Sequence, residues 1–345
     1  MMKIDDIMLL VRKNIRALAP YSTARDEYKG ALGVFLDANE NPFANGYNRY
    51  PDPRQAELKA MIAPMKGVVV EQMFIGNGSD EAIDLCFRIF CEPRIDNVVA
   101  IAPSYGMYRV SADINDVEVR EVQLGEGFSL PKEELLSACD EHTKLMFVCS
   151  PNNPSGNIYS VEDMRYLLDN FKGLLVVDEA YIDFASQPSL TTLLGEYKNL
   201  IVLQTLSKAY GLAGLRLGLA FADSAVMALF ANVKYPYNIN LAGMERAKEL
   251  LARDVKSEIE LIKSERERVA VALQSMACVK RVYPSDANFL LVQVSNARAL
   301  YEALIAEQVI VRDRSKVKGC AECLRITIGT PAENDRMLSV VAKWR

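Results

Sequence analysis

One histidine in 345 residues is the scarcest feature of this sequence. Hydrolysis through a charge relay normally draws on a histidine base, and His142 stands in the polar run CDEHTK, which reads as a solvated loop. Proton transfer therefore falls to another group, with a lysine as the leading candidate. Cysteine is present but unorganised: seven residues, an odd number, are scattered from Cys86 to Cys323 without the spacing of a disulfide framework. Cys320 and Cys323 form one C-x-x-C, yet no second such pair or histidine pair exists to complete a tetrahedral zinc site. No apolar run reaches membrane-span length. No basic cluster interrupts a net charge of −5, which argues against a nucleic-acid partner. Internal repeats and low-complexity segments are also missing. The opening stretch MMKIDDIMLLVRKNIRALAP mixes acids and bases through its apolar positions, so it reads as one amphipathic helix ended at Pro20 and not as a signal peptide, which points to the cytoplasm.

What is there is a chain half hydrophobic by count, long enough for a large domain and a smaller one. Its focus is Ile201 to Arg216, IVLQTLSKAYGLAGLR, in which an apolar strand runs into Thr205, Ser207 and Lys208, with Arg216 eight residues further on. A lysine at the carboxyl end of a buried strand stands where open α/β sheets place their ligands. Burial and a nearby cation would lower its pKa and make the amine a usable nucleophile. Three upstream segments repeat the strand-then-polar-turn form: FIGNGSDEAI, LMFVCSPNNPSG and LLVVDEAYIDF. In the first, Gly76 and Gly78 permit close backbone approach, and Ser79 and Asp80 open a helix whose free N–H groups can bind phosphate, with Thr205 and Ser207 as further partners. Tyr105, after the strand ending at Pro103, offers a flat ring at the same kind of position. Asn153 is presented from a proline- and glycine-bounded turn and can both donate and accept. Asp178 ends an apolar run, as a buried or a solvated strand terminus would.

These segments, together with ANENP, NRYP, PSYGMY and LRITIGT, make nearly the whole chain resemble the class II branch of fold-type I pyridoxal-phosphate-dependent aminotransferases. The resemblance implies an α/β fold: a large domain with a mostly parallel seven-stranded sheet between helices, and a small C-terminal α+β domain. It implies that Lys208 anchors pyridoxal 5'-phosphate and moves protons, that Asp178 pairs with the pyridine nitrogen, and that Asn153 and Tyr181 bond the ring oxygen. Tyr105 would stack on the ring. Gly78, Ser79, Asp80, Thr205, Ser207 and Arg216 would hold the phosphate, joined by Tyr50 from the neighbouring subunit of a homodimer. Tyr21 and Glu40 would line the substrate pocket. The implied reaction is transamination between a phosphorylated amino alcohol and 2-oxoglutarate, yielding glutamate, in amino-acid biosynthesis. A lyase decarboxylating threonine phosphate and the aromatic amino acid aminotransferases share much of this pattern and stand as alternatives.

Residues 1–45 are expected to form the first helix and an arm packing on the small domain and the dimer partner, and 46–240 the large cofactor-binding domain. A helix-favouring tract over 241–275 predicts one long connecting helix, and 276–345 the small domain, with strands near 279–283, 288–294 and 323–328. Arg325 sits inside an apolar strand where an unpaired guanidinium would be costly, so it needs an anion. Arg312 reads as its helper.

Overall fold

Four strands read as near-continuous apolar runs, NVVAIA, LMFVC, LLVVD and LIVLQT, so both faces of each require cover. The computed structural model, which describes residues 2–19 and 33–344, places them in the middle of one sheet. Its strands are β1 (Met73–Asn77), β2 (Asn97–Ala102), β3 (Glu118–Gln123), β4 (Thr143–Cys149), β5 (Leu174–Asp178), β6 (Leu200–Thr205) and β7 (Leu217–Phe221). Their spatial order is β1-β7-β6-β5-β4-β2-β3. All run parallel except β7, which pairs antiparallel with β6 and β1. Side-chain alternation splits β5 between two cores: Leu175 and Val177 pack with Leu58 and Ile62, whereas Leu174 and Val176 pack with Phe87, Phe147 and Phe230. Full burial of each such side chain contributes roughly 1.5–3 kcal/mol.

The reversal of β7 matters for everything that follows. Because it runs against its neighbours, its first residue lies at the edge where β1, β2, β4, β5 and β6 end. Residues 78, 103, 150, 178, 205 and 216 are thereby collected along one rim from distant parts of the chain. A second sheet carries β8 (Val279–Val282), β9 (Phe289–Val294), β10 (Arg312–Asp313) and β11 (Cys323–Thr327) in the order β10-β11-β9-β8, antiparallel throughout. Helices Ala297–Ala306 and Pro331–Lys343 cover it; the second begins with a capping box in which Thr330 and Glu333 satisfy each other's backbone N–H groups.

Three expectations from the sequence are corrected. The predicted single N-terminal helix is two, Ile4–Leu10 and Lys13–Arg16, broken because the Arg12 N–H donates to the Ile89 carbonyl and its guanidinium to that of Arg88. Those carbonyls belong to the last turn of helix Ser79–Phe90, which otherwise lacks partners for them. Ile7 and Val11 are accordingly buried in the core of the large sheet with Phe87 and Phe90, not against the small sheet as the resemblance implies. The connecting tract is likewise two helices, Leu241–Leu251 and Lys256–Gln274. Between them the Asp254 carboxylate accepts from the Lys256 N–H, offering the backbone an alternative to a continuing helix. Among the described residues no helix is long and apolar enough to cross a membrane.

Candidate active site

A cleft opens along the rim of the large sheet, lined by Gly78, Ser79, Asp80, Tyr105, Asn153, Asp178, Tyr181, Thr205, Ser207, Lys208 and Arg216, with Cys149 and Ala180. At one end backbone and hydroxyl donors gather. Gly78, at φ +77°, is the N-cap of the twelve-residue helix Ser79–Phe90 and leaves the helix start without a side-chain cap. A Cβ on Gly78 would stand 2.6 Å from Arg216 Nη2, and one on Gly218 would collide with the Gly78 backbone, so both glycines are needed for this approach. Arg216, itself at φ +55°, accepts the Gly78 N–H on its carbonyl at 2.6 Å. Ser207 Oγ is buried with no hydrogen-bond partner, and Thr205 Oγ1 accepts from the Ser207 N–H at 3.1 Å. An orphaned hydroxyl, free helix-terminal N–H groups and a half-exposed arginine form a cradle suited to a phosphate.

The other end is acidic and aromatic. Asp178 is 2% exposed, and burial pushes its carboxyl up from 3.8 to about 6, opposed by hydrogen bonds from Tyr108 and the Ala180 N–H. The Tyr108 hydroxyl donates to Asp178 Oδ2 at 2.8 Å and the Ala180 N–H to Oδ1 at 3.1 Å. The consecutive acid Glu179 does different work. It accepts from Ser189 Oγ, Gln204 Nε2 and the Leu190 N–H, fastening the following loop to β6. The Tyr105 hydroxyl donates to Asp80 Oδ1 at 3.0 Å, while its ring meets Tyr108 edge-on.

Lys208 stands between the two ends, its Nζ 5.7 Å from the centre of the Tyr181 ring. Much of its side chain faces solvent, yet its amine is held below the usual lysine value, first by partial desolvation and then by the Arg325 and Arg216 charges. Arg325 reaches over from the small sheet, where Nη1 donates to Asn153 Oδ1 at 2.5 Å. Arginine only donates, so this bond turns the Asn153 amide nitrogen toward the Tyr181 hydroxyl, 3.5 Å away.

The remaining expected residues lie elsewhere. Arg312 is exposed and pairs in register with Arg325 across β10 and β11. Glu40 accepts from Arg49 Nη1 at 2.7 Å and from the Tyr50 N–H at 2.6 Å, while the Tyr50 ring stacks on Tyr237 at 4.5 Å. Neither Glu40 nor Tyr50 lines the cleft of its own chain. Tyr21 lies outside the described residues. Cys320 and Cys323 are buried free thiols packed with Phe128 and Leu291.

Sequence reasoning missed Tyr108. Tyr108 lies within PSYGMY, but its contact with Asp178, seventy residues away, emerges only when the helix Met107–Ile114 stacks the Tyr108 ring on Phe147 of β4, the strand next to β5. Tyr108→Phe is expected to raise the Asp178 pKa by a further one to two units, roughly the value of a hydrogen bond to a charged group. Carboxyl-carbon NMR titration of the cofactor-free protein reads this directly. An unchanged midpoint would show that the hydroxyl does not serve the carboxylate.

Comparison with known proteins gives a consistent picture. Residues 34–341 match the family model described as aminotransferase class I and II. A histidinol-phosphate aminotransferase of Parabacteroides distasonis is 52% identical over 99% of both chains. Among solved structures, the histidinol-phosphate aminotransferase from Clostridium acetobutylicum superposes with a TM-score of 0.78 at 25% identity, covering 85% of this chain and 90% of that one. The Sinorhizobium meliloti histidinol-phosphate aminotransferase, solved in complex with pyridoxal-5'-phosphate, gives a TM-score of 0.79 at 24% identity, covering 86% of this chain and 82% of that one.

Proposed function

This chain belongs to the class I and II aminotransferases, and we propose that it interconverts L-histidinol phosphate and 2-oxoglutarate with imidazole-acetol phosphate and L-glutamate, in L-histidine biosynthesis. The observation that carries this reading is one cleft in which a phosphate cradle, a buried carboxylate and a lysine of lowered pKa face an arginine from the second sheet.

Pyridoxal 5'-phosphate, when bound, supplies a protonated ring that delocalises the electron pair left by the substrate's Cα–H bond. Ser207 Oγ, Thr205 Oγ1, the Ser79 and Asp80 N–H groups and Arg216 hold its phosphate, aided by Tyr50 of the partner subunit. Asp178 balances the positive charge at the ring nitrogen and is kept in place by Tyr108 and the Ala180 N–H. Tyr105, which lines the cleft, would stack on the ring. Asn153 and Tyr181 donate to the ring oxygen, an arrangement supported by the amide orientation that Arg325 imposes. Lys208 Nζ would anchor the cofactor, and its free amine is the group that would take the proton from the substrate carbon and give it back. Its lowered pKa keeps a larger unprotonated fraction near neutral pH.

Arg325 binds the substrate phosphate in one half of the cycle and a 2-oxoglutarate carboxylate in the other, with Arg312 assisting and Glu40 and Tyr21 shaping the pocket. The need for Tyr50 at a neighbouring cradle implies a homodimer, and the biosynthetic role a cytoplasmic one. Product analysis tests the reading. Purified protein given L-histidinol phosphate and 2-oxoglutarate should form glutamate and imidazole-acetol phosphate in equal amounts, with much slower turnover of L-tyrosine and no CO2 from threonine phosphate. Release of CO2 from threonine phosphate, with no glutamate formed from histidinol phosphate, would move the function to a lyase.

A further inference from the structure

Three arginines share one face of the small sheet. Arg312 lies opposite Arg325 in register, and the Arg314 N–H donates to the Cys323 carbonyl at 2.9 Å, which extends the ladder by one step. With a side-chain period of two, Arg312, Arg314, Arg325 and Cys323 therefore point one way, and Asp313 and Leu324 the other. Asp313 is engaged on its own side, accepting from Ser315 Oγ at 2.6 Å and from the Ser315 N–H at 2.8 Å. Arg314 is more deeply set than the exposed Arg312. Its Nε is buried without a partner, as is that of Arg325. Among the groups that act most strongly on Arg314, Arg325 and Arg312 oppose its charge and Cys320 and Tyr181 favour it. Desolvation comes first and the neighbouring arginines next, and both hold its guanidinium below the usual arginine value.

Such clustering is unfavourable unless a ligand offsets it. A single carboxylate has two oxygens and one charge, which one arginine fork satisfies, and Arg325, fixed by Asn153, is placed to be that fork. A phosphate monoester carries about −1.5 to −2 at pH 7 and three acceptor oxygens, more than one fork can serve. We propose that Arg314 is a substrate-phosphate-binding residue that separates the two half-reactions: it engages the phosphate of the amino donor and contributes little to the carboxylate of the amino acceptor. This rests on the proposed transamination of a phosphorylated amine and names the side chain that distinguishes it from a dicarboxylate.

The test compares wild type, Arg314→Gln and Arg314→Lys, loaded with pyridoxal phosphate. It measures KM for L-histidinol phosphate, KM for 2-oxoglutarate, kcat, and competitive inhibition by inorganic phosphate of the half-reaction with L-glutamate. The glutamine variant is expected to raise KM for histidinol phosphate and Ki for phosphate by about 10- to 100-fold, the range of one hydrogen-bonded charge pair. KM for 2-oxoglutarate and kcat should change less than about threefold, since the Arg325 fork is intact. The lysine variant should recover part of the phosphate affinity. Equal shifts for both substrates, or no shift in Ki for phosphate, would overturn the assignment. Should the glutamine variant fail to fold, an unchanged phosphate Ki in the lysine variant would do the same, because an ammonium cannot reproduce the fork. If wild type ignores histidinol phosphate altogether, the proposed reaction fails, while phosphate inhibition of the glutamate half-reaction still decides the role of Arg314.

Discussion

Replacing Lys208 by alanine is expected to leave a folded protein with no measurable turnover, a loss above about 10⁴-fold. The chemistry needs an amine that both anchors the cofactor and moves a proton, and the single histidine, His142, lies at the opposite end of β4 from the rim, beside Asp96. The fold needs Lys208 little. Its ring contact with Tyr181 is a long one, and the strand that precedes it, β6, is buried along its whole length whatever residue stands at 208. Thermal unfolding and far-UV circular dichroism should match wild type while the assay reads zero. Alanine-variant activity within tenfold of wild type would remove the lysine from the mechanism.

Asp178→Asn should separate stability from activity in opposite directions. Burial lifts the Asp178 carboxyl from 3.8 to about 6, so the folded chain retains a proton that the unfolded chain releases between about pH 4 and 6. Stability therefore falls as pH rises through that window, by about 3 kcal/mol once both states are ionised. Asparagine carries no charge to desolvate; its Oδ1 can accept from the Ala180 N–H, while its amide nitrogen donates to the Tyr108 hydroxyl oxygen. The cofactor-free variant should thus be at least as stable as wild type at pH 7.5, with less pH dependence between 4 and 7. Its kcat/KM should nevertheless drop by about 10²- to 10³-fold, the usual consequence of removing a preorganised electrostatic partner. Wild-type affinity for pyridoxal phosphate should weaken below about pH 6, where Asp178 takes up a proton, and the variant should lose that component. Denaturant titrations and cofactor binding across pH check both halves; a variant less stable than wild type at pH 7.5 would contradict the cost assigned to the buried charge.

The residues that were legible in the sequence share a physical reason. Asp178, Thr205, Asn153 and Gly78 each follow an apolar run closed by a polar turn, and such runs can be read as buried strands before any pairing is known. What placed them together, the reversal of β7 that brings Arg216 to the same rim, has no local signal. The break at Arg12 was illegible because its cause is a carbonyl of Ile89 on another helix. The break between Leu251 and Lys256 had one local sign in Asp254, outweighed by the helix-favouring composition on either side. Arg312 and Arg314 are alike in sequence, two residues apart on one face. Only the packing of the small sheet near Tyr181 sets Arg314 deeper than its neighbour.

The central claim is a two-stage transfer of an amino group from a phosphorylated donor, and one spectrum addresses it. Purified protein loaded with pyridoxal phosphate should lose its visible cofactor band on addition of L-histidinol phosphate alone, giving a pyridoxamine-type spectrum, and regain the band on addition of 2-oxoglutarate. A band that ignores histidinol phosphate but responds to another amine would contradict the proposed substrate, and failure to form the band at all would contradict the role of Lys208.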